Sequence, residues 1–357
     1  MSIDKVLNNT KGPISVLFEP TIHCNLKCPM CDRTHKDDYQ KHSDGQLPTE
    51  MAVKFLESLG TMGTKQVLLI GGGEPLCHPD IKRFIQVIKD NGMAAHLWTN
   101  GTKINEDNAE FLAENCSMIT VSLDSIDDKI NDMSRGLEGA TAKSKNALRL
   151  LRAASPDVYL RVHCVISAIN YMHLNDYIPF AKEYKINEIG GAIVNPFSFA
   201  PRSFIFAEKD KQDLDNKVKE FCETAKKEGI ALAGCFNHIS KDMIKAFELR
   251  LTTESKNESA DRHNTCLSLW RQAMVRPNGD VSVCCFTYKP ILGNLGKKPF
   301  PDIWNSNRAI ELREQVSNGQ YLDKPCEGCD MGHPVLTKFL EQFGDLGEID
   351  RMIMNSR

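Results

Sequence analysis

The sequence predicts an α/β fold, a parallel sheet interleaved with helices and followed by a small α+β module that bears cysteines. Three observations lead there. From about residue 14 to about 195, short apolar runs alternate with amphipathic stretches at helical spacing, the βα pattern that demands parallel strands. After about residue 200 the alternation gives way to a further helix pattern and then to two β-rich runs about a Pro-Asn-Gly turn. Three cysteines crowd behind the first apolar run, and others gather beyond residue 265.

Taken in order, strands are expected at "ISVLFEP" (14–20), "KQVLLIGGG" (65–73), "MAAHLWTNG" (93–101), "MITVSLDS" (118–125), "VYLRVHCVI" (158–166) and "EIGGAIVNP" (188–196). Between them, "TEMAVKFLESLGTMG" opens with a Thr cap, "HPDIKRFIQVIKDNG" stops at Asn-Gly, and "ATAKSKNALRLLRAA" puts its leucines on one face. Each crossover is long enough for a helix. "AEKDKQDLDNKVKEFCETAKKEG" continues as a helix and "IALAGC" as a short strand. The polar stretch 251–264 reads as a linker, "AMVRPNGDVSVCCF" as a hairpin, and "PVLTKFLEQFGDLGEIDRMIM" as a terminal amphipathic helix. Parallel α/β folds collect chemistry beyond the carboxyl ends of their strands. Cys24, Glu74, Asn100 and Asp124 follow four successive strands there.

Composition narrows the function. Lys+Arg (44) and Asp+Glu (47) nearly cancel and form no long basic run, so nucleic acid is not expected as a partner. No stretch approaches the roughly 18 to 20 apolar residues of a membrane span, and the first residues lack a signal-peptide pattern. No membrane association is expected, and a cytoplasmic location is. Thirteen cysteines in a reducing compartment point towards metal.

The first group, "HCNLKCPMC" (23–31), carries Cys24, Cys28 and Cys31 at C-x3-C-x2-C spacing. A structural zinc site wants four tight ligands, usually as two separated pairs, which His23 or His35 would have to complete here. Three thiolates in one loop suit a four-iron four-sulfur cluster with one iron left open. The second group comprises Cys266, Cys284, Cys326 and Cys329, with Gly279 giving C-x12-G-x4-C and then, after a gap, C-x2-C. Four thiolates in two groups also suit zinc. Cys285 follows Cys284 directly, so on a strand the two side chains point to opposite faces.

C-x3-C-x2-C after a first strand and "GGEP" (72–75) after a second resemble the radical S-adenosylmethionine (SAM) enzymes. "VSLD" (121–124) resembles that family's fourth-strand motif, "TNG" (99–101) the end of its third strand, and "LRV" around Arg161 falls on the fifth. The resemblance implies a partial (β/α)6 TIM-like radical SAM barrel, whose cluster holds SAM on its free iron and cleaves it to a 5′-deoxyadenosyl radical. It implies SAM contacts from Gly72, Gly73 and Glu74, from Ser122 and Asp124, and from Arg161 as a cation for the SAM carboxylate. Cys266, Gly279, Cys284, Cys326 and Cys329 resemble the SPASM or twitch extension, with "GNL" and "DIWNSNRAIELR" between its halves. No cysteine follows Cys329, a departure that limits the module to one auxiliary 4Fe-4S cluster on Cys266, Cys284, Cys326 and Cys329.

The division expected is a barrel over residues 1–235, a linker over 236–265, the auxiliary module over 266–333 and a terminal helix over 334–357. Cys77, Cys116, Cys164 and Cys222 read as small buried hydrophobes. Cys235, ending "IALAGC", is expected at the junction of barrel and extension, where a thiol facing the cavity would return a hydrogen atom to a substrate radical and make the reaction an epimerisation. His163 is placed either facing the lumen or packed. Only about a dozen residues precede the first strand, too few for a leader-binding domain. The substrate is therefore expected to be a small molecule, a sugar or natural-product precursor, undergoing oxidation or epimerisation. The alternatives are a peptide maturase with a separate leader-binding partner, and a non-catalytic iron–sulfur or zinc protein. A flavodoxin or ferredoxin is the expected electron donor.

Overall fold

The computed structural model describes residues 11–31, 45–194, 200–238, 268–284 and 290–317. Seven strands run in parallel and in chain order: β1 (Ser15–Phe18), β2 (Gln66–Leu69), β3 (Ala94–Thr99), β4 (Met118–Ser122), β5 (Tyr159–Ile166), β6 (Glu188–Ile193) and β7 (Ala231–Gly234). Sequential order has a geometric consequence. When every crossover is right-handed and steps the same way, all connecting helices fall on one face of the sheet, and the other face curls into a lumen.

The helices that cover the outer face are α1 (Thr49–Thr61), α2 (Ile81–Asp90), α3 (Glu106–Asn115), α4 (Asp128–Arg135), α5 (Ala140–Ala154), α6 (Tyr177–Glu183) and α7 (Lys211–Lys227). Alternation along the strands sorts side chains between the two faces. Val16, Phe18, Val67, Leu69, Leu97, Ile119, Val121, Leu160, Val162, Cys164 and Ile166 are fully buried against the helices. Phe18 sits between Phe55 of α1, edge-on with ring centroids 5.5 Å apart, and Phe84 of α2 at 5.8 Å. The opposite face carries Leu17, His96, Trp98, Thr120, Ser122, Arg161, His163 and Gly190, in register across the ladder.

Helix ends follow local chemistry, with one departure from the sequence reading. α2 stops at Asn91 and Gly92, the latter at φ 70°, as Asn-Gly predicts. The Thr cap of α1 does not form: Thr49 is the first helical residue, and its hydroxyl donates instead to Asp80, tying α1 to the start of α2.

The cysteine-bearing segment is not a separate body. After a short α8 (Ser268–Arg271), β8 (Gln272–Val275) pairs in parallel with β1, and β9 (Asp280–Ser282) and β10 (Ile291–Asn294) follow as an antiparallel meander. One ten-stranded sheet results, in the order β10-β9-β8-β1-β2-β3-β4-β5-β6-β7. The β8–β9 turn places Gly279 at φ 84°, which only glycine adopts freely, so Gly279 marks the turn and Cys284 lies just past the end of β9. α9 (Phe300–Trp304) and α10 (Asn307–Ser317) close over the hairpin, and Phe300 packs on Phe55 of α1 at 5.2 Å. The linker expected at 251–264 and the helix expected at 334–357 lie outside the described residues.

Because Phe18 is fully buried and holds two helices to β1, Phe18→Ala should cost about 3–5 kcal/mol. Urea unfolding followed by circular dichroism measures it.

Candidate active site

The cysteine loop leaves β1 at the carboxyl rim, and backbone contacts hold it. A Cβ on Gly73 would stand 2.2 Å from the His23 carbonyl oxygen, and one on Gly136 would stand 2.3 Å from that of Lys27. The two glycines therefore clasp the loop from opposite sides. Gly73 N donates to Thr21 O and Glu74 N to His23 O, so the "GGEP" turn is laced to the start of the loop. Gly71 is crowded too, since a Cβ there would meet the Gly73 carbonyl oxygen. Gly72 is buried between them.

Cys24, Cys28 and Cys31 are half-buried thiols. Leu26 N donates to Cys24 Sγ at 3.4 Å, Cys31 N closes a turn onto Cys28 O, and the Cys28 thiol donates to the Arg135 carbonyl at 3.5 Å. Burial pushes the Cys28 thiol up to about 11, against the opposing pull of the Arg135 guanidinium. Among the described residues, no three His, Cys, Asp or Glu side chains converge to hold a single metal ion. The chemistry of three soft sulfur donors in one loop fits an iron–sulfur cluster, with thiolates and a neighbouring cation to offset their charge.

Two buried carboxylates stand behind the loop. Glu74, 2 % exposed, accepts from Thr99 Oγ1 at 2.6 Å, Asn100 N at 2.7 Å and Leu76 N at 3.1 Å. Desolvation raises its pKa. Asn100 passes the order on, since its side chain bonds Asn25 of the cysteine loop, and Asn25 in turn bonds Thr102. Asp124, 1 % exposed, accepts from Arg135 at 2.7 Å, from Ser134 Oγ and from Val165 N at 2.9 Å. The oxygens of both carboxylates accept bonds from the chain itself, which makes them braces of the rim. Ser122 stays half-buried at the end of β4, in register with His163.

Arg161 has a partner within the sheet. Its Nε and Nη2 both bond Glu188 Oε2, which Tyr159 contacts as well, a closed ion pair nearer the amino end of the strands. The cation at the rim is Arg135, which the sequence reading missed. Its signal was faint, an Arg-Gly pair ending a short polar helix, with no periodicity to single it out.

Cys235 lies on the wrong face for its expected role. A Cβ on Gly191 would meet the Phe236 ring at 2.5 Å and Cys235 Sγ at 3.1 Å, and Gly191 is in register with Cys164, which is buried in the helix-side core. Gly190, pointing the other way, faces His163 Nδ1. Cys235 therefore belongs to the layer between sheet and helices, beside Cys164 and close to Cys222 of α7, and burial pushes its thiol up to about 12. Lumen access is what the expected hydrogen transfer required. His163, by contrast, does face the lumen, 5.1 Å from the Trp98 ring.

Of the auxiliary cysteines, Cys284 is described: half-buried, packed against the core, its carbonyl accepting from Ser282 Oγ at 3.3 Å. Cys266, Cys326 and Cys329 lie outside the described residues, as do Cys285 and His35. No helix among the described residues is long and apolar enough to cross a membrane.

A one-way parallel sheet with a three-cysteine loop clasped at its rim defines a radical SAM domain, and residues 18–178 match the model of that superfamily. The chain therefore carries a radical SAM domain. It carries in addition a SPASM iron–sulfur cluster-binding domain, matched over residues 266–330. An AdoMet-dependent heme synthase of Methanosarcina barkeri is 27% identical over 335 residues, 90% of this chain and 92% of its own. The PqqA peptide cyclase of Gluconobacter oxydans is 23% identical over 326 residues, 89% of this chain and 83% of its own. In fold, the crystal structure of Streptococcus suis SuiB is similar with a TM-score of 0.67 at 18% identity, covering 92% of this chain and 73% of SuiB. SuiB has also been solved with S-adenosylmethionine and with its precursor peptide SuiA. The cofactors are accordingly SAM, a 4Fe-4S cluster and an auxiliary iron–sulfur centre.

Two predictions follow from the geometry. Gly136→Ala forces a Cβ into the Lys27 carbonyl at a residue with φ 66°, so it should lower iron incorporation several-fold while leaving the circular dichroism of the fold in place. His163 is held at about 4 by burial, with Asp124 pulling it up and Arg135 and Arg161 pushing it down. Its folded pKa lies below the unfolded value of about 6.5, so the unfolded chain binds the extra proton, and stability falls as pH drops from 6.5 towards 4. Between pH 7.5 and 5.5 the wild type should lose about 1.5 kcal/mol more than His163→Asn in urea titrations.

Proposed function

We propose that this chain is a peptide-modifying radical SAM enzyme, which takes a hydrogen atom from a C–H bond of a peptide and leaves the peptide oxidised or cross-linked. The observation that carries the reading is the similarity, over nearly the whole of both chains, to a PqqA peptide cyclase. The small-molecule sugar substrate first expected from the short amino-terminal segment has less support. A second reading is a small molecule of tetrapyrrole type, favoured by the heme synthase that aligns over 90% of the chain.

Cys24, Cys28 and Cys31 would hold the SAM-binding cluster, and Cys266, Cys284, Cys326 and Cys329 the auxiliary one. When bound, these groups supply the reductive cleavage of SAM and the uptake of an electron. The chain's own residues do the rest. Gly73 and Gly136 fix the loop, and Glu74 reaches it through Asn100 and Asn25. Gly72 and Gly73, lacking side chains, would let the methionine end approach the backbone closely, and Ser122, half-buried at the end of β4, would contact SAM. The Arg161–Glu188 pair lies towards the amino-terminal end of the strands, and substrate would approach from the opposite rim, where the cysteine loop sits. Trp98 and His163 line the lumen above that pair, an aromatic wall and an imidazole kept neutral at physiological pH.

With SAM and both clusters bound, the substrate would give up one hydrogen atom, one electron and one proton in all, and would end two hydrogens lighter. The helix-side placement of Cys235 favours oxidation over epimerisation by that thiol. A flavodoxin or ferredoxin would supply the electron that starts each turnover.

The test is anaerobic turnover of the reconstituted protein, holding about eight irons as two cubane clusters. With SAM and reductant it should release 5′-deoxyadenosine, and Cys24→Ala, Cys28→Ala or Cys31→Ala should abolish that release. A peptide encoded beside the gene should then lose two hydrogens by mass spectrometry. Turnover of a tetrapyrrole with no change in any such peptide would replace the peptide reading with the second one.

A further inference from the structure

The barrel and the cysteine hairpin share a ladder only four residues long, Ser15–Phe18 of β1 against Gln272–Val275 of β8. Its outer face is apolar, with Val16, Phe18, Ala273 and Val275 fully buried. Apolar contact supplies adhesion but little register, because a slip of two residues returns each side chain to the same face. Such a slip would displace the hairpin by about 6.6 Å at the usual rise per strand residue.

One polar contact breaks this degeneracy. The residues next in register, Glu19 and Arg276, lie on the lumen face, 4 % and 3 % exposed, with Glu19 Oε2 3.7 Å from Arg276 Nη1. Glu19 N also donates to the Val275 carbonyl at 2.9 Å, extending the ladder by one bond. A slipped register would pull the two buried charges of this pair apart. Both residues sit at points of leverage. Cys24 lies five residues beyond Glu19 on the segment that becomes the cysteine loop, and Cys284 lies eight beyond Arg276. Arg276 is locked into the hairpin turn, its N bonded to Asp280 O and its carbonyl to Gly279 N, and Asn294 braces that turn through Asn278 O and Asp280 Oδ1. A shift at Arg276 therefore moves the hairpin as one piece.

We propose that Glu19 and Arg276 are a positioning pair that sets the register of the hairpin against the barrel, and thereby the separation of the auxiliary cluster from the SAM-binding cluster. The inference rests on the reading of Cys24 and Cys284 as ligands of the two clusters. In function, the pair would hold the electron acceptor at a fixed distance from the carbon that becomes a radical.

The experiment compares Glu19→Gln, Arg276→Met and the double variant in the reconstituted holoprotein. Each single variant breaks the Glu19–Arg276 ion pair from one side and should lower the melting temperature, and the double variant should recover most of the loss. A merely stabilising pair would then be fully replaced. If the pair sets register, the recovered double variant should still differ in two readouts. Pulsed EPR of the reduced clusters should show an inter-cluster distance distribution that is broadened or shifted by several ångströms. Hydrogen exchange at the amides of 16–19 should be faster by about tenfold. A double variant with wild-type distances and wild-type exchange would overturn the proposal. A holoprotein holding only one cluster would instead remove Cys284 from the ligand set, and the exchange data alone would then decide for or against the pair.

Discussion

A carboxylate that leaves water must find donors, and at the rim of this sheet that requirement organises almost everything else. Glu74 and Asp124 are both buried at carboxyl ends of strands, two strands apart. To satisfy them the chain brings in the end of β3 for one, and the last turn of α4 together with a β5 amide for the other. The last turn of α4 is in turn followed by Gly136, on which the cysteine loop rests. The loop has little core of its own beyond Leu26, so its placement is inherited from these two buried charges.

The same logic separates what the sequence announced from what it concealed. Strands and helices were legible because their apolar residues repeat at fixed periods, and Phe18, Leu97, Val162 and Leu148 fall where those periods put them. The cysteine loop and "GGEP" were legible because soft donors and consecutive glycines are rare in such spacing. Arg135 was not, since a lone arginine after a polar helix has no pattern, and its meaning arises from Asp124, eleven residues earlier in the chain and on another element. Arg161 misled for the mirror reason. It lies on the predicted strand and the predicted face, but Glu188, brought alongside by the β5–β6 register, already holds it.

Cys235 shows how far a single residue of register reaches. It follows Gly234, whose φ of 67° turns the chain sharply at the end of β7, and the thiol is carried to the helix side beside Gly191. A strand that continued straight would have been read differently by parity, and no sequence period reports a left-handed glycine. The Thr49 hydroxyl is a smaller instance of the same kind: its partner Asp80 is set by the packing of α1 on α2, beyond any cap rule.

The hairpin adds a constraint that the sequence divides and the fold unites. Read along the chain, the two cysteine groups lie more than two hundred residues apart and look like two modules with a linker between them. In the sheet, the strand leading to Cys24 and the strand preceding Cys284 are joined by β8, with β1 and β9 as its two neighbours. A metal module hung on a flexible tether would leave electron transfer at the mercy of its motion. Built into the sheet edge, the described hairpin is continuous with the barrel, and the placement of Cys284 relative to β1 is a property of strand register.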